Sequence, residues 1–185
     1  TSLGPAINPV FDSLIMNLSG LAKKLLNEGV IAEDAIRSAS ETAHKQKIPL
    51  VTYLVQNNLV PARTIALAAS DEFGTPLIEL DSMSQDAYPK ELVNEKLVRK
   101  HRALPLFKRG TRLYVAVSDP TNLQALDEIK FNTGLSTEAV VVDEDKLDGA
   151  IDRYLEYLQS VKAGIRLHTM RKILPPWLER RFAAK

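Results

Sequence analysis

The sequence predicts an α+β protein in which an N-terminal all-helical tandem-repeat subdomain precedes a small α/β sandwich subdomain with the element order β-α-β-β-α-β-α. Three observations lead to this fold class. Residues 18–74 have only helical periodicity, a 29-residue unit occurs twice within them, and strand-like segments alternate with short helices from Thr75 onward. With 45% hydrophobic residues among 185, the chain is apolar enough to bury such a core.

The helical segment has the spacing of helices that bury one face. Aliphatic residues and alanines recur at intervals of three and four. Residues 21–31 align with residues 50–60, so that Gly29, which separates two helices, falls on Asn58. Gly and Asn are the residues that best tolerate the left-handed conformation ending a helix. The unit is therefore an internal tandem repeat, and Pro61 is placed to open its last helix at the first position.

The second half of the predicted fold consists of shorter elements. Gly110 supplies the turn of a hairpin, and Asp119, Thr121 or Asn122 caps the helix that follows the hairpin. The predicted strands are 75–80, 103–107, 112–117 and 137–142, and the predicted helices are 89–100 (opened by Pro89), 123–132, and one from Asp143 through Leu155.

Charge is unevenly distributed along the chain. The net charge of +1 argues against a nucleic-acid binder that neutralises phosphates. Residues 158–185 hold seven basic residues against Glu179 alone, which leaves an acidic body. This basic amphipathic tail, with Trp177 and Phe182, suits an anionic membrane surface, an acidic partner, or a foreign or fused origin, and the three interpretations stay open. The predicted domains are a leader of uncertain origin at 1–16, the helical repeat at 17–74, the α/β subdomain at 75–157 and the tail at 158–185.

The residue inventory excludes several classes of function. Without Cys the chain has no disulfide, thiolate metal site or Cys nucleophile, and its three His lack the spacing of a metal site. No set of nucleophile, base and oxyanion donors converges, and no apolar run approaches the roughly 18 residues of a membrane span. We therefore predict a non-enzymatic protein of the cytoplasm with no metal, catalytic or cofactor-binding residues.

An apolar stripe through both repeat copies supplies the partner-binding candidates. Aliphatic residues at helical spacing are ordinarily buried, so contact between the two copies is the first interpretation and docking of a regulatory protein the second. The candidates are Leu21, Leu25, Leu26, Leu50, Leu54 and Val55.

Two groups of charged residues also allow a functional interpretation. Asp143, Glu144 and Asp145 are candidates for binding a cation, but acidic residues in a first helical turn are expected from the helix dipole. Seven cations within 17 residues form either a contact for an acidic partner or the solvated edge of a helix and hairpin. They are Lys96, Arg99, Lys100, Arg102, Lys108, Arg109 and Arg112.

Four stretches carry a family resemblance: GTPLIEL at 74–80, KLVRKHRALPLFKRG at 96–110, LYVAVSDP at 113–120, and ALDEI with a following Thr-Gly at 125–134. They resemble the N-terminal, MshEN-like regulatory region of the PilB family of type IV pilus extension ATPases, and type II secretion ATPases have a similar region. The resemblance implies that ATP and Mg²⁺ belong to a separate motor domain. No glycine here begins the G-x-x-x-x-G-K-[ST] loop of that motor.

Some relatives bind cyclic di-GMP through the same tandem repeat, with Arg-Leu-Gly opening each motif. Here the motifs open with Gly20-Leu21-Ala22 and Pro49-Leu50-Val51. The charge-assisted donors that a doubly anionic ligand needs are absent, which argues against cyclic di-GMP binding.

The resemblance implies a regulatory and protein-interaction region that is cytoplasmic and peripheral to the inner-membrane pilus machine. Its implied partners are a PilZ-type adaptor, docked on the helical subdomain, the motor domain and other pilus machinery, in a protein of twitching motility. Nucleic acid is not among them, because neither repeat offers a basic recognition helix, and only the basic tail is suited to a membrane. A direct cyclic di-GMP sensor with degenerate motifs is the alternative.

Overall fold

The structure, a computed structural model, describes residues 18–83, 88–89 and 92–173, the last nine by their backbone alone. The described chain contains seven α-helices and a three-stranded sheet, which confirms the α+β class. The predicted leader, and the part of the predicted tail that holds Trp177 and Phe182, lie outside it. The elements are α1 (Gly20–Asn27), α2 (Glu33–Gln46), α3 (Leu50–Gln56), α4 (Ala62–Phe73), a 3₁₀ turn (Leu80–Ser82), α5 (Glu95–His101), β1 (Leu104–Arg109), β2 (Arg112–Val117), α6 (Leu123–Thr133), β3 (Ser136–Val141) and α7 (Glu144–Ile173).

The backbone repeats with the 29-residue period predicted from the sequence. Glu33 and Ala62, which begin α2 and α4, are 29 positions apart. Gly29 and Asn58 have φ angles of 67° and 53°, so both adopt the left-handed conformation. In each copy the next residue donates its N–H to the carbonyl five positions earlier, at 3.0 and 2.9 Å. Pro61 precedes the first residue of α4 instead of occupying it, so the predicted start of this helix was one residue too early.

The two copies share one core. The first helix of each copy packs against the second helix of the other, since α1 lies on α4 and α2 lies on α3. Ile36 and Ile65 occupy equivalent positions and are almost completely buried. The apolar stripe therefore exists because each copy covers the other.

The sheet has the order β1-β2-β3, with β1 antiparallel and β3 parallel to β2. The strand predicted at 75–80 and the start of the helix predicted at 89–100 were wrong. The strand predicted at 75–80 is a single bridge between Leu77 and Val141, because the chain turns into the 3₁₀ turn immediately afterward. The helix predicted at 89–100 begins at Glu95, because the side chain of Asn94 caps it by accepting the N–H of Lys96 at 2.9 Å.

Helix α7 is the longest element and packs against both halves of the protein. It contacts α3 and α4 of the helical half, and α5, β1 and β2 of the α/β half. It continues unbroken past residue 157, where Leu158 is buried in the α/β core and Lys162 pairs with Glu95. None of the helices in the described part of the chain combines the length and the hydropathy that crossing a bilayer requires.

Candidate protein-docking site

The six stripe residues divide into two sets by burial. Leu21, Leu25 and Leu54 are at most 1% exposed and belong to the helical core. The other three, Leu26, Leu50 and Val55, are half-buried at the margin of that core. Of the six stripe residues, these three present side-chain surface to a partner without opening the core. Their role in docking stays a prediction.

Two exposed leucines of the helical half are absent from the predicted stripe. Leu59 is 44% exposed in the turn after α3, and Leu67 is 52% exposed on α4. The repeat alignment singles out Leu67, because it stands 29 positions after Ser38, a polar residue of the first copy. An apolar residue where the other copy has a polar one points to a surface specific to the second copy.

The positions that open each repeat carry no charged side chain. Gly20 and Pro49 open the two motifs, and a Cβ on Gly20 would lie 3.3 Å from the ring of Phe73. Ala22 and Val51, the third residues of the two motifs, are 1% and 3% exposed. Both side chains fill the core, so the backbone there is covered by protein.

Lys24 is the cation that joins the two copies. Its ammonium lies 3.0 Å from Glu72, 3.1 Å from Glu28 and 3.4 Å from Asp71. Hydrogen bonds to Glu72 and Glu28, the main causes, raise the pKa of Lys24 above its ordinary value. The charge of Lys24 is therefore engaged in holding α1 to the end of α4.

The buried carboxylate of Glu144 links the helical half to the α/β half. One carboxylate oxygen of Glu144 accepts hydrogen bonds from the hydroxyl of Thr52 at 2.7 Å and from Arg102 at 2.9 and 2.6 Å. Glu144 is only 3% exposed. Asp143, the neighbouring acid, lies 3.6 Å from Arg63 of α4. Two of the three acids considered as a cation site, Asp143 and Glu144, are thus engaged by arginines. No cluster of metal-ligating side chains occurs within the described ranges.

Four of the seven clustered cations form ion pairs within the protein. Besides Arg102, Lys100 pairs with Glu128 at 3.0 Å, Arg99 with Asp152 at 3.9 Å and Arg112 with Glu138 at 3.7 Å. This engagement favours the structural interpretation for those four.

The carboxyl of Glu128 has a pKa well below its ordinary value. His101 and then Lys100 hydrogen-bond to it and lower its pKa to about 2. Asp119 has a structural role as well, because its carboxylate accepts the N–H of Thr121 at 2.9 Å while Asn122 caps α6.

Comparison with known proteins places this arrangement in a family. Residues 73–161 match the MshEN domain. The chain is 39% identical over 150 residues to the type IV pilus assembly ATPase PilB of Pseudomonas aeruginosa, covering 81% of this chain and 26% of that protein. It is 31% identical over 134 residues to PilB of Myxococcus xanthus, covering 72% and 24%.

Solved structures agree with this relationship. A structure of MshE with cyclic di-GMP matches at 25% identity and a TM-score of 0.54, over 74% of this chain and 99% of that one. The N-terminal domain of XpsE shares the fold, with a TM-score of 0.60 at 21% identity, over 77% of this chain and 94% of that one.

The chain matches only one part of the PilB proteins. The chain spans about a quarter of their length, and this quarter is the N-terminal domain, not the ATPase motor domain. Residues 73–161 are therefore an MshEN domain, and the chain is a homologue of the N-terminal domain of the type IV pilus assembly ATPase PilB.

Proposed function

We propose that this chain is the non-catalytic regulatory region of a cytoplasmic pilus assembly ATPase, peripheral to the inner membrane. In this proposal the helical half docks a PilZ-type adaptor, and the α/β half relays the docked state to the motor domain. The observation that carries the proposal is the buried hydrogen bond between Thr52 of α3 and Glu144 of α7. A displacement of the repeat is transmitted through it to α7, the helix that leaves the α/β half.

The character of the helical half supports a protein partner. Its available side chains at the stripe, Leu26, Leu50 and Val55, are apolar, and its repeat openings hold no cation. Half-buried aliphatic residues bind another protein by excluding water, whereas a cyclic dinucleotide needs charge-assisted donors.

The docking claim is tested by calorimetric titration of the 185-residue chain with the PilZ-type protein of the same organism. We expect micromolar or tighter binding that Leu50→Ser and Val55→Ser each weaken at least tenfold. Phe131→Ser is the matched control, because Phe131 is 94% exposed on α6 of the α/β half. Absence of binding at micromolar concentrations, or equal loss in all three variants, overturns the claim.

Direct cyclic di-GMP sensing is the second candidate, favoured by the likeness to MshE, whose structure contains cyclic di-GMP. The same calorimetry with cyclic di-GMP alone separates the two candidates. We expect no saturable heat, because the adaptor supplies the link to the nucleotide signal. Saturable binding in the micromolar range would instead make the chain itself the sensor.

A further inference from the structure

Strand β3 has a partly open outer edge. It lies at one end of the sheet, and Val141 is paired on the side away from β2. The N–H of Val141 donates to Pro76 at 2.8 Å, and its carbonyl accepts from Ile78 at 3.0 Å. Because the hydrogen-bonding groups of a strand alternate in direction, Thr137 and Ala139 also direct their N–H and C=O groups away from β2.

The segment that pairs with Val141 does not cover the rest of this edge. Before Pro76 the chain turns at Gly74, whose φ is +60°, into the end of α4. Within the described residues, no backbone group pairs with the outward N–H and C=O groups of Thr137 and Ala139. In this part of the chain, two donors and two acceptors, spaced by two residues, are therefore left open.

A groove runs beside this open edge. It has a volume of about 580 Å³ and lies between the end of α4 and the start of α6. Phe73, at the end of α4, is 37% exposed, and Leu123, at the start of α6, is 65% exposed. The groove thus combines unpaired strand groups with apolar side chains.

The opposite edge of the sheet is constructed differently. Strand β1 contains Pro105, an irregular register between Pro105 and Phe107, and the charged pair Lys108 and Arg109. These features discourage strand addition. The open stretch of β3 contains neither Pro nor Lys, and its only charged residue is Glu138.

We propose that this edge binds an extended peptide segment of a partner protein by strand addition. The peptide backbone pairs with Thr137 and Ala139, and an apolar side chain at every second position enters between Phe73 and Leu123. An extended strand presents N–H and C=O pairs at the two-residue spacing that this edge offers. The groove of about 580 Å³ beside the edge accommodates the side chains of a single extended strand, which favours a peptide over the sheet edge of a second copy.

Amide hydrogen exchange of the free chain, followed by NMR, is the first test. We expect the amides of Thr137 and Ala139 to exchange at least 100-fold faster than that of Val140, which pairs within the sheet. Equal protection of the three amides would overturn the proposal. Slow exchange that appears only at high protein concentration, with dimers in sedimentation, would show that a second copy covers the edge and would equally overturn it.

A phage-displayed random 12-residue peptide library, selected on the full chain, is the second test. We expect selected peptides with alternating apolar residues, whose binding Ala139→Pro weakens at least tenfold by removing the outward N–H. Leu123→Ser, which leaves the sheet untouched, should weaken it similarly, and Phe131→Ser should not. Peptides insensitive to Leu123→Ser and to methylation of their own backbone nitrogens would contradict strand addition.

Discussion

The hydroxyl of Thr52 donates a buried hydrogen bond of 2.7 Å to the carboxylate of Glu144, 92 residues away in the sequence. Thr52 belongs to the helical repeat and Glu144 to the first turn of α7. The equivalent of Thr52 in the first copy is Lys23, which is only half-buried. The two copies therefore differ at this position, because the second copy packs against α7 there.

Thr52→Val is expected to lower the free energy of unfolding by about 2 kcal/mol, because a buried charged acceptor loses one of its three hydrogen bonds. Thr52→Ser keeps the hydroxyl and loses one methyl group, so it should cost about 1 kcal/mol or less. Urea denaturation followed by circular dichroism measures both. A smaller loss in the Val variant than in the Ser variant would show that the hydrogen bond contributes nothing.

Arg102→Met should destabilise the fold more strongly, by about 3 kcal/mol, because it leaves Glu144 buried without a cation. Arg102 retains 21% of its side-chain exposure, which places the effect at the lower end of the range for buried pairs. Arg99→Met is the control, since Arg99 is 60% exposed and lies 3.9 Å from Asp152. That variant should stay within about 0.5 kcal/mol of the wild type, and similar losses in both variants would contradict a special role for Arg102.

The left-handed turn of the repeat is tested at Gly29. Gly29→Ala should cost about 1 kcal/mol, because a Cβ is unfavourable at its φ of 67°. No atom lies within 4 Å of that Cβ, so the cost is conformational. Gly29→Asn should cost less, since Asn58 adopts the same conformation in the second copy. Thermal unfolding ranks the variants, and an Asn variant no better than Ala would contradict the equivalence of the two turns.

The pH dependence of stability should reflect Glu128. Its pKa falls from 4.5 to about 2 in the folded protein, so its ionised form stabilises the fold above pH 4.5. This contribution disappears as the pH falls from 4.5 through 2. Glu128→Gln should lower the urea midpoint at pH 7 and flatten its decline below pH 4.5. Asp127→Asn serves as the control, because Asp127 has no ion pair with another described residue. An unchanged pH profile in the Gln variant would show that another group causes the decline.

Local signals in the sequence predicted most of the secondary structure. Gly110 and the residues after it predicted β2 with the bounds that the structure has, because strand alternation and a turn residue agree there. Pro89 misled the prediction of α5, because a Pro that suits the start of a helix does not require one. The better capping residue, Asn94, stood five positions later.

The candidate site was less predictable than the fold. Periodicity identified the six stripe residues as one apolar set, but it did not separate Leu25, which is buried, from Leu26, which is half-buried. That separation depends on which helix covers each residue. No local sequence pattern indicates that Thr52 pairs with Glu144. Nor does one indicate that the outer edge of β3 is open within the described residues.

The amino-acid sequence was sufficient to predict the helical repeat, the α+β class and the relationship to pilus ATPases. The repeat and the fold class follow from residue spacing and from single residues with strong backbone preferences, whereas the relationship to pilus ATPases follows from the four stretches that resemble that family. The tertiary structure alone decided which leucines remain accessible, which acids are neutralised by arginines, and which strand edge is free. These properties depend on contacts between residues far apart in the chain, and local spacing carries no information about such contacts.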